Sequence, residues 1–161
     1  MEGFRVFLTG GSGFLGGVLR EHLLREGYRV RMLARRAIDD SPHPNLEVVR
    51  GDLSDASRLA EQMKGCSAVL HAAALVATWR KDAREFYRTN VDGLRNVLEA
   101  GERSAVERLV YTSTFFALGP HAPPGAVEDS GLNELGRHPY QHSKLLARKA
   151  AREAWPGDAR S

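Results

Sequence analysis

Cysteine is almost absent from this chain: Cys66 is the only one in 161 residues. No intrachain disulfide can form, and a reducing, cytoplasmic compartment is the expectation. Aromatic residues are scarce, at 7%, and they are not interleaved with runs of Lys and Arg. The arginines, among them Arg29, Arg31, Arg35 and Arg36, are scattered and read mostly as solvated faces. With a net charge of only +3 and no basic stripe, a nucleic-acid partner is not expected. No apolar run reaches the ~20 residues that a membrane span needs. The N-terminus lacks the charged, apolar and small-residue sequence of an export signal. Internal repeats and low-complexity tracts are missing too. What is left is a chain long enough for one domain with a real core, with ordinary apolar and charged fractions of 42% and 27%. Cys66 follows Gly65 at the entry to a predicted strand and reads as a small filler rather than a nucleophile.

Strand and helix patterns alternate, which predicts a parallel sheet covered on both faces. Strands are expected at about Arg5–Thr9, Arg29–Ala34, Leu46–Val49, Ala68–His71 and Arg108–Thr112. The first helix should bury Leu15, Val18, Leu19, His22 and Leu23 on one face and stop before Gly27. Ser54 is a candidate cap for a helix that carries Leu59 and Met63 and closes at Gly65. A long helix is expected from about Arg84 to Ala100, with Phe86, Val97 and Leu98 in the core and Gly101 as its stop. The Gly- and Pro-rich stretch from Phe115 to His138 is longer than ordinary connections. A last helix should run from near Pro139 or Tyr140 to about Ala154, ended by Pro156.

Two places concentrate chemistry. The first is Phe4-Arg5-Val6-Phe7-Leu8-Thr9-Gly10-Gly11-Ser12-Gly13-Phe14-Leu15-Gly16, an apolar strand entering a glycine turn and then a helix. A dinucleotide pyrophosphate needs a tight turn, a backbone with no Cβ in the way and a helix N-terminus facing the anion. Glycines alone also make plain turns, but here the strand and the helix that the motif requires are both present. The second is Tyr140-Gln141-His142-Ser143-Lys144. Four residues apart on a helix, the phenol and the ammonium share a face. A nearby cation favours a phenolate, so the pair is a candidate general acid/base.

Taken with Gly51-Asp52-Leu53, His71-Ala72-Ala73-Ala74, Thr89-Asn90-Val91-Asp92-Gly93 and Tyr111-Thr112-Ser113-Thr114, these motifs resemble the N-terminal part of an extended short-chain dehydrogenase/reductase. Within that superfamily the chain is similar to the NAD-dependent epimerase/dehydratase group, and above all to dihydroflavonol-4-reductase-like proteins. The resemblance implies a Rossmann-type doubly wound sheet of order 3-2-1-4-5. It implies Tyr140 as general acid/base and Lys144 as the group that favours the phenolate and bonds the nicotinamide ribose. Thr114, with Ser113 as the competing assignment, would hold the substrate oxygen, and Asn90 would support the site from the long helix. Gly10, Gly13, Phe14, Leu15, Gly16, Ala72, Ala73, Ala74 and Thr112 would lie along the cofactor, and Asp52 and Leu53 would flank the adenine. His71 reads as structural.

A NAD site usually offers an acid after strand two, whereas arginine there suits a 2′-phosphate. This chain reads Arg31-Met32-Leu33-Ala34-Arg35-Arg36, and Asp39 and Asp40 come too late to substitute. The expected cofactor is therefore NADP, with NAD as the alternative. The expected activity is reduction of a ketone or sugar-like small molecule; an NAD-dependent nucleotide-sugar epimerase or dehydratase and a non-catalytic dinucleotide-binding fragment are the competing readings. Family members are longer, so residues 1–161 are expected to form an incomplete NAD(P)-binding domain without the sixth strand and the substrate domain. Strand five would then be an open edge, and edges of this kind invite pairing with a second copy.

Overall fold

The computed structural model describes residues 4–36, 43–118, 125, 127 and 138–154. By its internal contacts the chain divides into two compact units, Met1–Ala74 with Asn96–Thr112 and Leu75–Arg95 with Ser113–Ser161.

The first unit holds the whole sheet. Its strands are β1 (Arg5–Thr9), β2 (Arg29–Ala34), β3 (Leu46–Arg50), β4 (Ala68–His71) and β5 (Arg108–Tyr111). They are all parallel, in the order β3-β2-β1-β4-β5, as the sequence predicted. Alternation along β1 sends neighbouring side chains to opposite faces. Phe7 enters a core with Leu59, Met63, Val69, Val97 and Ala100. Leu8 packs on the other face with Val30 and Met32. The first core is roofed by α2 (Ala56–Met63) and by part of α4 (Gly93–Arg103); the second is covered by Leu23 and Leu24 of α1 (Phe14–Arg25). Cys66 is buried in the first core, as a filler should be, and burial pushes its thiol pKa up.

Three local expectations change. Of the first helix's predicted apolar face, Leu15, Val18 and His22 are exposed. The contact with the sheet is made by Leu23, as predicted, and by Leu24; Gly16, the one buried residue of α1, lies instead against the backbone of Gly10 and Gly11. The cap of α2 is Asp55, whose carboxylate accepts the Arg58 N–H at 2.9 Å. Ser54 is occupied elsewhere: its N–H and its hydroxyl both donate to Asp52. Arg31 is no solvated charge. Its guanidinium donates to Glu47 at 2.8 Å and to the carbonyls of Gln62 and Lys64 at 2.8 and 3.0 Å, where cations suit a helix C-terminus. The stop at Gly27 holds. Its N–H donates to Leu24 and the Tyr28 N–H to Leu23, with Gly27 at φ +82°, the left-handed C-terminal turn that favours glycine.

The second unit is helical. The long helix predicted from Arg84 does not run evenly and does not stop at Gly101. It begins as α3 (Arg84–Tyr87), passes through a π-turn at Arg88–Asp92 and continues as α4 to Arg103. A 3-10 turn at Phe115–Leu118 and α5 (Pro139–Ala154) complete the unit, and α5 packs against the 3-10 turn, α3 and the π-turn. Pro156 and most of the Phe115–His138 stretch lie outside the described residues. Among those described, no helix is long and apolar enough to cross a membrane.

Candidate functional site

In the first unit the parallel register brings Thr9, Leu33, Val49, His71 and Tyr111 to one end of the sheet. Of the candidate cofactor residues, all but Tyr140 and Lys144, which lie on α5, follow those strand ends: Gly10–Gly16 after β1, Arg35 after β2, Asp52 and Leu53 after β3, Ala72–Ala74 after β4, and Thr112 after β5. β1 and β4 are neighbours although they are not consecutive in the chain. Their carboxyl ends form the switch point where open α/β sheets bind ligands.

The glycines have specific tasks there. Gly10 has φ +77°, and a Cβ on it would lie 2.6 Å from the Ala73 nitrogen and 2.7 Å from the Ala72 carbonyl carbon. A Cβ on Gly16 would fall 2.0 Å from the Gly10 oxygen. The Gly13 N–H donates to that same oxygen at 2.9 Å. Turn, helix start and the strand-four exit are thus folded against one another, backbone on backbone. Gly13 begins α1 with no side-chain cap and no acid in the first turn. The positive end of the helix therefore has no acidic partner of its own in the first turn. Phe14 (94% exposed) and Leu15 project from that first turn.

Thr9 and His71, both buried, close the base of the switch point. Thr9 Oγ1 and His71 Nδ1 are 2.8 Å apart, and the Ala73 N–H reaches Thr9 Oγ1 at 3.4 Å. The His71 ring also stacks on Tyr111. His71 is thus enclosed between β1 and β5, at 1% exposure. Beside β3, the hydrogen bonds from Ser54 hold the Asp52 carboxyl below its usual range, helped by the Arg35 and Arg58 charges. Arg35 is exposed and acts on Asp52 through space. The Leu53 carbonyl accepts from Asn96 at 2.7 Å. Asp39 and Asp40 lie outside the described residues.

The second unit gathers the candidate proton-handling residues. Tyr140 and Lys144 sit one turn apart near the start of α5, Tyr140 half-buried and Lys144 3% exposed. Burial lowers the Lys144 pKa to about 8, so its charge changes close to neutrality. Asn90, in the π-turn and 2% exposed, accepts the Leu75 N–H at 2.7 Å. It donates to the Leu75 carbonyl at 3.1 Å and to Ser143 Oγ at 2.9 Å. The structure brings Asn90 to α5 through Ser143. Thr114 starts the 3-10 turn, its hydroxyl and carbonyl accepting from Phe116 and Ala117. Ser113 is exposed.

Sequence reasoning missed Ser143, fully buried beside Lys144; its place inside Tyr140-x-x-x-Lys144 was the only available signal. It also missed two contacts of α5. Tyr87 Oη lies 3.0 Å from His142 Nδ1, and Phe86 packs its ring against Tyr140 and His138. These pairings join residues more than 50 positions apart, and no local pattern announces them.

The profile of the NAD dependent epimerase/dehydratase family matches residues 6–157. This chain belongs to that family. It is 38% identical over 149 residues to a putative dihydroflavonol 4-reductase of Synechocystis sp., covering 90% of this chain and 43% of that protein. It is 39% identical over 152 residues to a 3 beta-hydroxysteroid dehydrogenase/Delta 5-->4-isomerase of Mycobacterium tuberculosis, covering 90% and 41%. Among solved structures it resembles the dTDP-glucose 4,6-dehydratase DesIV of Streptomyces venezuelae, determined with NAD bound. There the TM-score is 0.84 and the identity 29%, over 96% of this chain and 52% of that one. The fold is the Rossmann-type sheet of extended short-chain dehydrogenases. The chain spans about two-fifths of the length of these two curated relatives.

Proposed function

We propose that this chain is the dinucleotide-binding and proton-transfer part of an NADP-dependent oxidoreductase that reduces a ketone or sugar-like substrate. One observation carries the reading. Gly10, at positive φ, is seated against the Ala72–Ala73 backbone at the switch point, under a helix N-terminus without cap or acid. A side chain at Gly10 or Gly16 would push the turn, the helix start and the strand-four exit apart; together with a helix N-terminus free of cap and acid, the residues present fit a pyrophosphate. Gly10, Gly13, Phe14, Leu15 and Gly16 would hold the pyrophosphate, Ala72–Ala74 and Thr112 the nicotinamide half, and Asp52 and Leu53 the adenine. Arg35, exposed at the end of β2 in the place where an acid would read a 2′-hydroxyl, would pair with a 2′-phosphate. When bound, the dinucleotide supplies or accepts the hydride.

The remaining work falls to the second unit. Tyr140 donates its phenolic proton to the carbonyl oxygen as that oxygen gains charge, and takes it back in the reverse direction. Lys144, one turn further along α5, would donate to the ribose hydroxyls of a bound dinucleotide. Thr114, held at the start of the 3-10 turn by its contacts with Phe116 and Ala117, would hold the substrate oxygen. Asn90 fixes the backbone at Leu75.

A second reading, a nucleotide-sugar epimerase or dehydratase using NAD, draws on the same residues and is favoured by the likeness to the NAD-bound dTDP-glucose 4,6-dehydratase. Titration of the chain with NADPH and NADH, followed by cofactor fluorescence, separates the two. The first reading expects NADPH tighter by about tenfold, the scale of one charge-assisted contact, and loss of that preference in Arg35→Ser. NADH preferred by the wild-type chain favours the second. No binding of either leaves a fragment without cofactor function. The open β5 edge, paired only with β4 among the described residues, further suggests self-association, which light scattering reads directly; a monomer at high concentration would refute it.

A further inference from the structure

We infer that Ser143 is a positioning residue for Tyr140, the single hydroxyl through which Asn90 sets the first turn of α5; this rests on the oxidoreductase reading above. The direction of the chain of hydrogen bonds is forced. An amide side chain offers one oxygen that accepts and one nitrogen that donates. The Leu75 N–H, a donor only, fixes the Asn90 oxygen toward Leu75 at 2.7 Å. The Asn90 nitrogen must then face Ser143, at 2.9 Å, and donate to its Oγ. Because Ser143 Oγ accepts there, its own proton is free for one acceptor, and that acceptor is the Tyr140 carbonyl at 2.7 Å. Asn90 and Ser143 are 2% and 0% exposed, so water does not compete, and in such surroundings successive hydrogen bonds reinforce one another.

The consequence is mechanical. Leu75 follows Ala74 directly in the chain, and the π-turn that carries Asn90 is the irregular part of its helix. The relay runs from the Leu75 backbone, through Asn90 and Ser143, to the backbone of the residue that bears the phenol. A helical serine that only back-bonds to the third preceding carbonyl is common. This one is also held from outside its helix, and its orientation is inherited from another segment. Removing the hydroxyl leaves Asn90 its two bonds to Leu75 and leaves the Tyr87–His142 and Phe86–Tyr140 contacts in place, but it cuts the Asn90 tie to α5 and takes one donor from the Tyr140 carbonyl.

The test uses the full chain and two ligands, NADPH and 2′-phospho-ADP-ribose, which has the same adenosine and pyrophosphate but no nicotinamide. For Ser143→Ala we expect NADPH to bind about five- to tenfold more weakly, the worth of one buried hydrogen bond, with the fragment unchanged. Ser143→Thr, which keeps a hydroxyl, should recover part of the loss; Asn90→Asp, which cannot donate to Ser143, should mimic Ser143→Ala and guards against a repacking artefact. Equal affinities for both ligands in wild type and Ser143→Ala would overturn the inference, and so would equal weakening of both ligands, the mark of a general structural defect. Failure of the wild-type chain to bind either ligand would instead bring down the oxidoreductase reading, and the inference with it.

Discussion

Gly10→Ala should be among the most destabilising small substitutions in the first unit, and the structure allows its cost to be divided. Two terms act. Alanine at φ +77° occupies a left-handed conformation that costs an L-residue roughly 1–2 kcal/mol. Its Cβ would also press on the Ala73 nitrogen and the Ala72 carbonyl group at 2.6–2.8 Å. These are backbone atoms that cannot rotate away, and overpacking of this kind typically costs about 1–3 kcal/mol. The sum, about 2–5 kcal/mol, is a large share of the 5–15 kcal/mol that holds an ordinary domain together. Two other glycines separate the terms. Gly27 has φ +82° with nothing within 4 Å of a Cβ, so Gly27→Ala carries only the conformational term. Gly16 has no positive φ but would place its Cβ 2.0 Å from the Gly10 oxygen, so Gly16→Ala carries only the clash. Urea unfolding followed by circular dichroism should rank Gly10→Ala well below Gly27→Ala in stability, with a midpoint loss about twice as large or more. Equal losses for the two would refute the claim that Gly10 is seated on the strand-four exit.

The lysine on α5 gives a pH prediction. Below pH 8 both folded and unfolded chains hold Lys144 charged, and the burial cost is carried in full. Between about 8 and the ordinary 10.5 the unfolded chain binds more protons, so stability should rise with pH through that window, by up to roughly 3 kcal/mol. Lys144→Met should remove this rise; unfolding curves of the two proteins that run parallel from pH 7 to 10 would contradict it. At the start of α2, Asp55→Ala should cost about 1 kcal/mol by loss of the cap, whereas Ser54→Ala should leave that cap intact. A larger loss from Ser54→Ala in thermal unfolding would restore Ser54 as the cap.

Much of the sheet was legible because its strands announce themselves. Arg5–Thr9, Arg29–Ala34 and Ala68–His71 are apolar runs bounded by turn residues, and their limits agree with the structure. The glycine turn was legible for the same reason: its context is local. The failures were tertiary. Leu15 and Val18 follow a helical period yet are exposed, because the first turns of α1 lie against the glycine turn through Gly16 and only Leu23 and Leu24 reach the sheet core, which no hydrophobicity pattern marks. Ser54 and Asp55 are both good caps by type, and the choice was settled by Asp52, which accepts both Ser54 donors. Arg31 looked like one more scattered cation until the fold set the end of α2 against it. The π-turn at Arg88–Asp92 and the Asn90–Ser143 contact depend on how α5 lies against α3, which no spacing along the chain encodes.

The proposed function stands or falls with dinucleotide binding at the switch point formed by Gly10–Gly16 and Ala72–Ala74. Backbone amide shifts of the isotope-labelled chain, followed by NMR while NADP is added, test it most directly. Saturable shifts are expected, largest at Gly10, Gly13, Phe14, Leu15, Gly16 and Ala72–Ala74, with smaller ones at Arg35, Asp52 and Leu53. Shifts that fail to saturate, or that cluster away from the carboxyl ends of β1 and β4, would contradict it.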